Sequence, residues 1–189
     1  MKIKEFETRQ ELYTEIPKGG VGFEAGVCKG MNAMHLYQIA KPSKLYLCDI
    51  WTDKRPDGAD WNKPADFTEL WYSNHSNLVS IFFEDEIENG TVELMRGYAS
   101  DFLIELEDNS LDWIYLDSAH IYDCISIEID IALQKVKSGG LILGHDYNAA
   151  PDAWGASVIR AVNERIQDGD MIMESITIEK WPSYLCRVV

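Results

Sequence analysis

Polar or glycine-containing segments follow five predicted strands, and their residue types are those that bind and activate small ligands. In chain order these segments are Glu24, Asp49, Gly97-Tyr98-Ala99, Asp117 and His145-Asp146. Carboxylates accept hydrogen bonds from hydroxyl and ammonium groups, and imidazoles titrate near neutral pH, so this set could hold a ligand and move a proton. The carboxyl ends of parallel strands meet at one edge of a sheet, where ligands bind. The spacing therefore predicts one site at that edge.

Residues 21–49 predict the geometry of one half of this site. They read as an apolar strand, a turn containing Gly26 and Gly30, an amphipathic helix and a second strand. Glycine lets a ligand's backbone or sugar come close to the turn, which favours a nucleotide-type ligand. The pattern E-x-G-x-x-x-G places Cys28 where a dinucleotide-binding fingerprint has its second glycine, so a pyrophosphate has less room. This argues against an NAD-linked oxidoreductase.

Alternating strand-like and helix-like segments position these residues. The predicted strands, in chain order, are residues 21–24, 44–48, 91–96, 111–116, 141–143, 171–179 and 184–189. A leading helix is predicted over residues 4–14, and a Trp181-Pro182-Ser183 turn favours antiparallel pairing of the last two strands. We expect an α/β fold: a Rossmann-like, doubly wound sheet of seven strands, mostly parallel with an antiparallel last strand, and helices on both faces.

A single domain over residues 1–189 is expected, because 189 residues with 46% hydrophobic side chains can bury one core. The strand pattern loosens over residues 51–90, which read as a helical insertion. Long connections often form lids, so residues 53–71, with Trp61 and Trp71, are predicted to face a substrate. A surface excursion without a role fits the same pattern.

The chain is acidic, with 32 Asp and Glu against 17 Lys and Arg and a formal net charge of -15. Such a field repels phosphate backbones and anionic lipids, so we expect no nucleic-acid partner and no membrane partner. The four cysteines lack C-x-x-C spacing and are expected to be free. No stretch resembles a signal peptide or membrane span, which favours a cytoplasmic protein.

Five motifs carry a resemblance to a known family. They are E-A-G-V-C-K-G, L-Y-L-C-D, R-G-Y-A, L-D-W-I-Y-L-D-S-A-H-I-Y and S-G-G-L-I-L-G-H-D-Y. Their order and spacing resemble class I S-adenosylmethionine-dependent methyltransferases, specifically the small-molecule branch with D-x-x-H-x-Y and G-H-D-Y segments. The resemblance covers residues 21–189.

The resemblance implies a pocket for S-adenosylmethionine. Glu24 would lie near the methionine amino group, and Asp49 would accept hydrogen bonds from both ribose hydroxyls. The other implied cofactor-binding residues are Gly26, Gly30, Ile50, Trp51, Tyr98, Ala99 and Asp117. Many relatives place an acid at or near Tyr98, and this chain does not. Backbone groups or Asp101 would then recognise the adenine.

Catalysis would fall to the residues after the fourth and fifth predicted strands. His120 and His145 are candidate bases beside Asp117, since an oxygen nucleophile must lose its proton. Packing or capping is the alternative role for either histidine. Asp117 and Asp146 are the first candidate ligands for a divalent metal such as Mg²⁺, with both histidines as further donors. Metal-dependent relatives often carry two consecutive acids where this chain has His145-Asp146.

The sequence thus predicts S-adenosylmethionine-dependent methyl transfer to a small-molecule acceptor, namely O-methylation of a sugar or natural-product-like hydroxyl. Two alternatives stay open. One is a module that binds the cofactor without catalysis, and the other is an NAD-linked oxidoreductase. Relatives often dimerise, so a homodimer in which a neighbouring subunit completes the acceptor site is also expected.

Overall fold

Strand residues alternate between two buried faces, which is why this chain builds a sheet covered on both sides. In the central strand, Trp113 and Tyr115 point into one apolar cluster, while Ile114 and Leu116 point into the other. A strand whose two faces are both apolar must be covered by helices on both sides. The computed structural model describes residues 2–52, 69–148 and 153–189, with the backbone alone for residues 69–71 and 153–155.

Within the described ranges, eight strands form one sheet. They are β1 Lys4–Phe6, β2 Val21–Ala25, β3 Lys44–Asp49, β4 Val92–Arg96, β5 Leu111–Leu116, β6 Val136–Gly144, β7 Met171–Thr177 and β8 Tyr184–Val188. Their spatial order is β1-β7-β8-β6-β5-β2-β3-β4. Strand β8 pairs antiparallel with both β6 and β7, and every other pair in the sheet is parallel. This confirms the predicted Rossmann-like class, with one strand more than the seven expected.

Helices cover both faces. They are α1 Arg9–Leu12, α2 Met31–Ala40, α3 Glu69–Phe82, α4 Glu84–Glu88, α5 Ala99–Glu105, α6 Tyr122–Lys135 and α7 Ala153–Asp168, with a 3₁₀ turn over Tyr13–Glu15. Ala33 and Leu36 of α2 pack into one apolar cluster. Ile129 of α6 and Ala161 of α7 pack into the other. Among the described residues, no helix combines the length and apolar character needed to cross a membrane.

The leading helix predicted over residues 4–14 is wrong for its first part. Lys4–Phe6 is strand β1, which pairs in parallel with Ser175–Thr177 of β7. The helix begins only at Arg9, where the side chain of Thr8 accepts a hydrogen bond from the backbone N–H of Glu11. Local sequence could not reveal β1, because its hydrogen-bonding partner lies about 170 residues away in the chain.

Two further boundaries differ from expectation. Strand β6 begins at Val136 rather than near residue 141, because Val136 pairs with Leu111 and a register shift accommodates the following residues. The segment 53–71, predicted as a lid containing Trp61 and Trp71, falls outside the described residues except for the backbone of 69–71.

Strand register brings the predicted site residues to one level. Ala25 pairs with both Cys48 and Leu116, and Leu116 pairs with Gly144. The residues that follow these positions therefore leave the sheet together at its carboxyl edge.

Candidate active site

A cavity of about 510 Å³ opens at the carboxyl edge of β2, β3, β4 and β5. Seven of the nine predicted cofactor-binding residues line it: Gly26, Asp49, Ile50, Trp51, Tyr98, Ala99 and Asp117. Helix α6 closes one side with Cys124, Ile127 and Glu128. The volume lies in the usual range for small-ligand sites.

Asp49 is held by the two turns that flank it. Its Oδ2 accepts a hydrogen bond from the backbone N–H of Cys28 at 2.8 Å, and its Oδ1 accepts one from the N–H of Trp51 at 2.8 Å. The indole N–H of Trp51 donates to the carbonyl of Cys28 at 2.9 Å and ties the same turns together. Each carboxylate oxygen has a second lone pair, so Asp49 can still accept hydrogen bonds from a ligand.

Position 26 must be glycine because the ends of β2 and β5 approach each other closely there. Its φ is +90°, and a Cβ on it would lie 1.9 Å from the carbonyl oxygen of Asp117. The backbone N–H of Asp117 donates to the carbonyl of Ala25 at 2.8 Å, which fixes this approach. The glycine therefore brings Asp117 onto the cavity wall.

Glu24 lies beneath the cavity, fully buried, and is not part of its lining. Its Oε1 accepts a hydrogen bond from Asn32 at 3.0 Å, and Tyr13 donates to Asn32 in turn at 2.6 Å. Among the described residues, Oε2 has no hydrogen-bond partner. Burial raises the pKa of the Glu24 carboxyl to about 8. Gly30, the other predicted residue outside the lining, precedes α2 with a φ of +81°.

Asp117, His120 and Asp146 form a second cluster, after strands β5 and β6. The Nε2 of His120 lies 2.6 Å from Oδ2 of Asp146 and 3.6 Å from Oδ1 of Asp117. Burial lowers the pKa of His120, but the two carboxylates outweigh it and raise the pKa to about 9. The three side chains offer ligand atoms within 4.8 Å of one another, which is close enough for all three to reach one divalent ion.

His145 lies beside this cluster and is bonded through both ring nitrogens. Its Nε2 lies 2.8 Å from Nη2 of Arg9 and its Nδ1 lies 3.2 Å from Oγ of Ser183. A guanidinium can only donate, so Nε2 accepts the bond and Nδ1 carries the proton. Burial, reinforced by the charge of Arg9, lowers the pKa of His145 despite the nearby carboxylate of Asp117.

Sequence reasoning missed Arg9. The backbone N–H of Arg9 donates to Glu179 at 3.0 Å, and the β1–β7 pairing carries the segment to the site. A single arginine in a predicted leading helix does not indicate a contact with His145, which is 136 residues away in the chain.

Comparisons with known proteins agree with the geometry. A doubly wound sheet with a ligand cavity at its carboxyl edge defines the Rossmann-like class. Within that class the chain belongs to the methyltransferase domain family, whose family model matches residues 23–147. No curated protein matches the chain significantly.

Solved structures share the fold at low sequence identity. Cofactor-bound Rv0187 from MTB has a TM-score of 0.66 at 16% identity, covering 95% of this chain and 77% of that one. SMU.1697c, a candidate methyltransferase from Streptococcus mutans in complex with SAH, has a TM-score of 0.61 at 11% identity, covering 96% of each chain. An rRNA methylase from Streptococcus thermophilus has a TM-score of 0.61 at 10% identity, covering 96% of this chain and 94% of that one.

The last of these structures overturns one expectation. From the net charge we expected no nucleic-acid partner, yet a protein named as an rRNA methylase shares this architecture over almost its whole length. Net charge reports on the average field of a molecule, whereas substrate contact depends on local charge. The exclusion of nucleic acid is therefore wrong.

Proposed function

We propose that this chain transfers the methyl group of S-adenosylmethionine to a hydroxyl oxygen of a small-molecule acceptor, such as a sugar or natural product. The main support for the proposal is the position of Asp49. Its carboxylate is held by two backbone N–H groups in the wall of a cavity of about 510 Å³. Vicinal ribose hydroxyls are suitable donors to such a carboxylate.

The surrounding side chains fit the rest of the cofactor. Tyr98, Ile121 and Ile127 line the cavity and are 39%, 39% and 53% exposed, which is high for large apolar residues. A planar base bound there would cover them and remove apolar surface from water. The unpartnered Oε2 of Glu24 lies near the glycine turn, and an ammonium group bound there would favour the charged form of this carboxyl group.

The bound cofactor supplies a methyl group already activated by its sulfonium. The residues of the chain then need to align an acceptor oxygen with that methyl group, exclude water and assist loss of a proton. Asp117 connects the cofactor cavity with the proposed catalytic residues. It lines the cavity and also belongs to the cluster with His120 and Asp146.

The same cluster fits a divalent metal, which we propose Asp117, His120 and Asp146 hold. When bound, such an ion makes a hydroxyl more acidic. Two carboxylates suit Mg²⁺ or Mn²⁺, whereas an imidazole donor favours a transition metal. Arg9 already donates a hydrogen bond to Nε2 of His145, so this nitrogen is not free to accept a proton from an acceptor hydroxyl. A metal would make that hydroxyl more acidic, and His145 would then not be needed as a base. Without a metal, His120 and His145 are the proposed bases, and substitution of each histidine tests that role.

The acceptor assay measures release of S-adenosylhomocysteine from S-adenosylmethionine over a panel of sugars, phenolic natural products and rRNA fragments. Turnover with a hydroxyl-bearing small molecule, absent when that hydroxyl is removed, supports the proposal. Turnover with rRNA alone contradicts the acceptor class but keeps methyl transfer. Cofactor binding without turnover on any acceptor supports the alternative of a non-catalytic binding module.

The metal assignment is tested by titrating the chelator-treated protein with Mn²⁺ in a calorimeter. We predict binding to the wild type and at least about a tenfold weaker affinity in Asp146→Asn, because one charged ligand is lost. Glu107→Gln, an exposed carboxylate away from the cluster, is the matched control and should bind like the wild type. Equal affinity in all three proteins, or full turnover in chelator, contradicts a metal at this cluster.

A further inference from the structure

A chain of hydrogen bonds runs through the core and connects the two halves of the site. Its side chains, in order, are Glu24, Asn32, Tyr13, Tyr115, Ser183, His145 and Arg9. Tyr13, Tyr115 and Ser183 are fully buried, and none of them lines the cavity of about 510 Å³. Buried hydroxyl groups are costly unless they are hydrogen-bonded, so these three have a task that the proposed reaction does not yet include.

At the cofactor end, Glu24 sets the direction of the bonds. Its Oε1 accepts a hydrogen bond from the amide nitrogen of Asn32 at 3.0 Å, whether the carboxyl group is charged or carries a proton on Oε2. The amide oxygen of Asn32 therefore faces the hydroxyl of Tyr13 and accepts from it at 2.6 Å. The hydroxyl groups of Tyr13 and Tyr115 are also hydrogen-bonded to each other. Because Tyr13 donates its hydrogen to Asn32, Tyr115 is the donor to Tyr13.

At the other end, Arg9 sets the direction. A guanidinium only donates, so Nε2 of His145 accepts from it at 2.8 Å and Nδ1 carries the proton. That proton is donated to Oγ of Ser183, which lies 3.2 Å away. The hydroxyl of Ser183 is then left to donate to the oxygen of Tyr115, also 3.2 Å away. Both ends of the chain thus require the same direction, with every donor pointing from Arg9 toward Glu24.

The chain opposes a second tautomer of His145, in which the proton is on Nε2. Oδ1 of Asp146 lies 3.7 Å from Nε2, too far for a hydrogen bond, but its charge favours a proton on that nitrogen. An Nε2 that carries a proton cannot accept from Arg9, so this tautomer would release the guanidinium. The tautomer of a histidine follows from the hydrogen bond that the other nitrogen makes, which here is the bond from Nδ1 to Ser183.

We propose that Tyr13, Tyr115 and Ser183 are positioning residues for the acceptor end of the site. They keep the proton of His145 on Nδ1, and Nε2 of His145 then holds the partly exposed guanidinium of Arg9 beside the proposed metal site. This inference rests on the proposed function, because it assigns these residues a role in methyl transfer. It also explains why buried hydroxyl groups connect an acid near the glycine turn with a histidine at the acceptor end.

The test locates the proton of His145 by NMR of chelator-treated, ligand-free protein labelled with ¹⁵N-histidine, because protonated and unprotonated ring nitrogens have well-separated ¹⁵N chemical shifts. The chain has four histidines, and the signals missing from His145→Gln identify this ring. In the wild type at neutral pH the proton should be on Nδ1. In Tyr13→Phe the ratio of the Nδ1–H form to the Nε2–H form should fall about tenfold or more, the value of one buried hydrogen bond. The reason is that Tyr115 then loses its acceptor and donates toward Ser183, which reverses the chain.

A purely structural role for Tyr13 predicts a different result. Its ring would then suffice for packing, and an unchanged ratio in Tyr13→Phe would overturn the proposal, as would a wild-type proton on Nε2 or on both nitrogens. Tyr46→Phe, a tyrosine packed against the core outside the chain of hydrogen bonds, is the matched control and should keep the wild-type ratio.

Should Tyr13→Phe not fold, Ser183→Ala decides through the same ratio, which should fall because Nδ1–H loses its acceptor. The tautomer is measured without a ligand, so it is independent of cofactor binding. Failure of the wild type to bind S-adenosylhomocysteine would instead contradict the proposed function.

Discussion

Two carboxyl groups of this site, those of Asp49 and Glu24, have contrasting surroundings. Asp49 receives two backbone hydrogen bonds at the cavity wall, which fix the orientation of its carboxylate. Glu24 is fully buried, which favours its neutral form, and among the described residues Asn32 supplies its one hydrogen bond. The sequence identified both acids by their positions after strands, but burial depends on packing against Tyr13 and Asn32, which no local pattern reports.

Glu24→Gln is predicted to stabilise the ligand-free protein above neutral pH. The pKa of Glu24 is about 8 in the folded state against 4.5 for an exposed glutamate, so the folded state binds more protons than the unfolded state between those values. The wild type therefore loses stability as pH rises from about 4.5 to 8, and the amide does not. Urea unfolding should give an advantage of roughly 4 kcal/mol for Glu24→Gln at pH 8 and little at pH 4.5.

The exposed Glu105→Gln is the control and should show no such pH dependence. If the two variants behave alike, Glu24 is not the buried acid described above. Glu24→Gln should also weaken binding of S-adenosylhomocysteine, because the amide cannot supply negative charge to an ammonium group.

At the scale of elements, the site depends on two turns that touch. The turn after β2 and the turn after β5 meet at Gly26, where only a hydrogen atom fits against the carbonyl of Asp117. This contact links the cofactor half of the site to the cluster of Asp117, His120 and Asp146. From the sequence, the glycine turn was explained by close approach of a ligand. The structure shows that Gly26 is also needed because the backbone of Asp117 packs against it.

Gly26→Ala is predicted to destabilise the fold far more than Gly169→Ala. Both glycines have positive φ, +90° and +86°, but no atom of the described residues lies within 4 Å of a Cβ at Gly169. The control substitution thus measures backbone strain alone, about 1 kcal/mol. Gly26→Ala adds a clash with backbone and should cost at least about 2 kcal/mol more in thermal or urea unfolding. Equal costs would show that the two turns separate easily.

Element prediction succeeded where the signal was local. The strands that carry the site, β2, β3, β4 and β5, were predicted to within about one residue, because each is a short apolar run closed by a polar residue or glycine. Strand β1 and the early start of β6 were missed, because both depend on pairing with strands distant in the chain. Arg9 was missed for the same reason.

At the scale of the whole molecule, the order of motifs predicted the fold better than it predicted the chemistry. Alternating strands and helices define a Rossmann-like sheet, and the family match over residues 23–147 agrees with it. The contacts of His145 with Arg9 and Ser183 arise from tertiary packing, so the sequence named His145 as a candidate base and metal donor without indicating these partners. The net charge of -15 likewise gave a wrong exclusion of nucleic acid.

The central claim is that the cavity at the carboxyl edge binds S-adenosylmethionine through Asp49. Calorimetric titration of the wild type and of Asp49→Ala with S-adenosylhomocysteine and with NAD⁺ tests it most directly. We predict that the wild type binds S-adenosylhomocysteine and not NAD⁺, and that Asp49→Ala binds it at least about tenfold more weakly through loss of the ribose hydrogen bonds. Binding of NAD⁺ without S-adenosylhomocysteine, or unchanged affinity in Asp49→Ala, would contradict the claim.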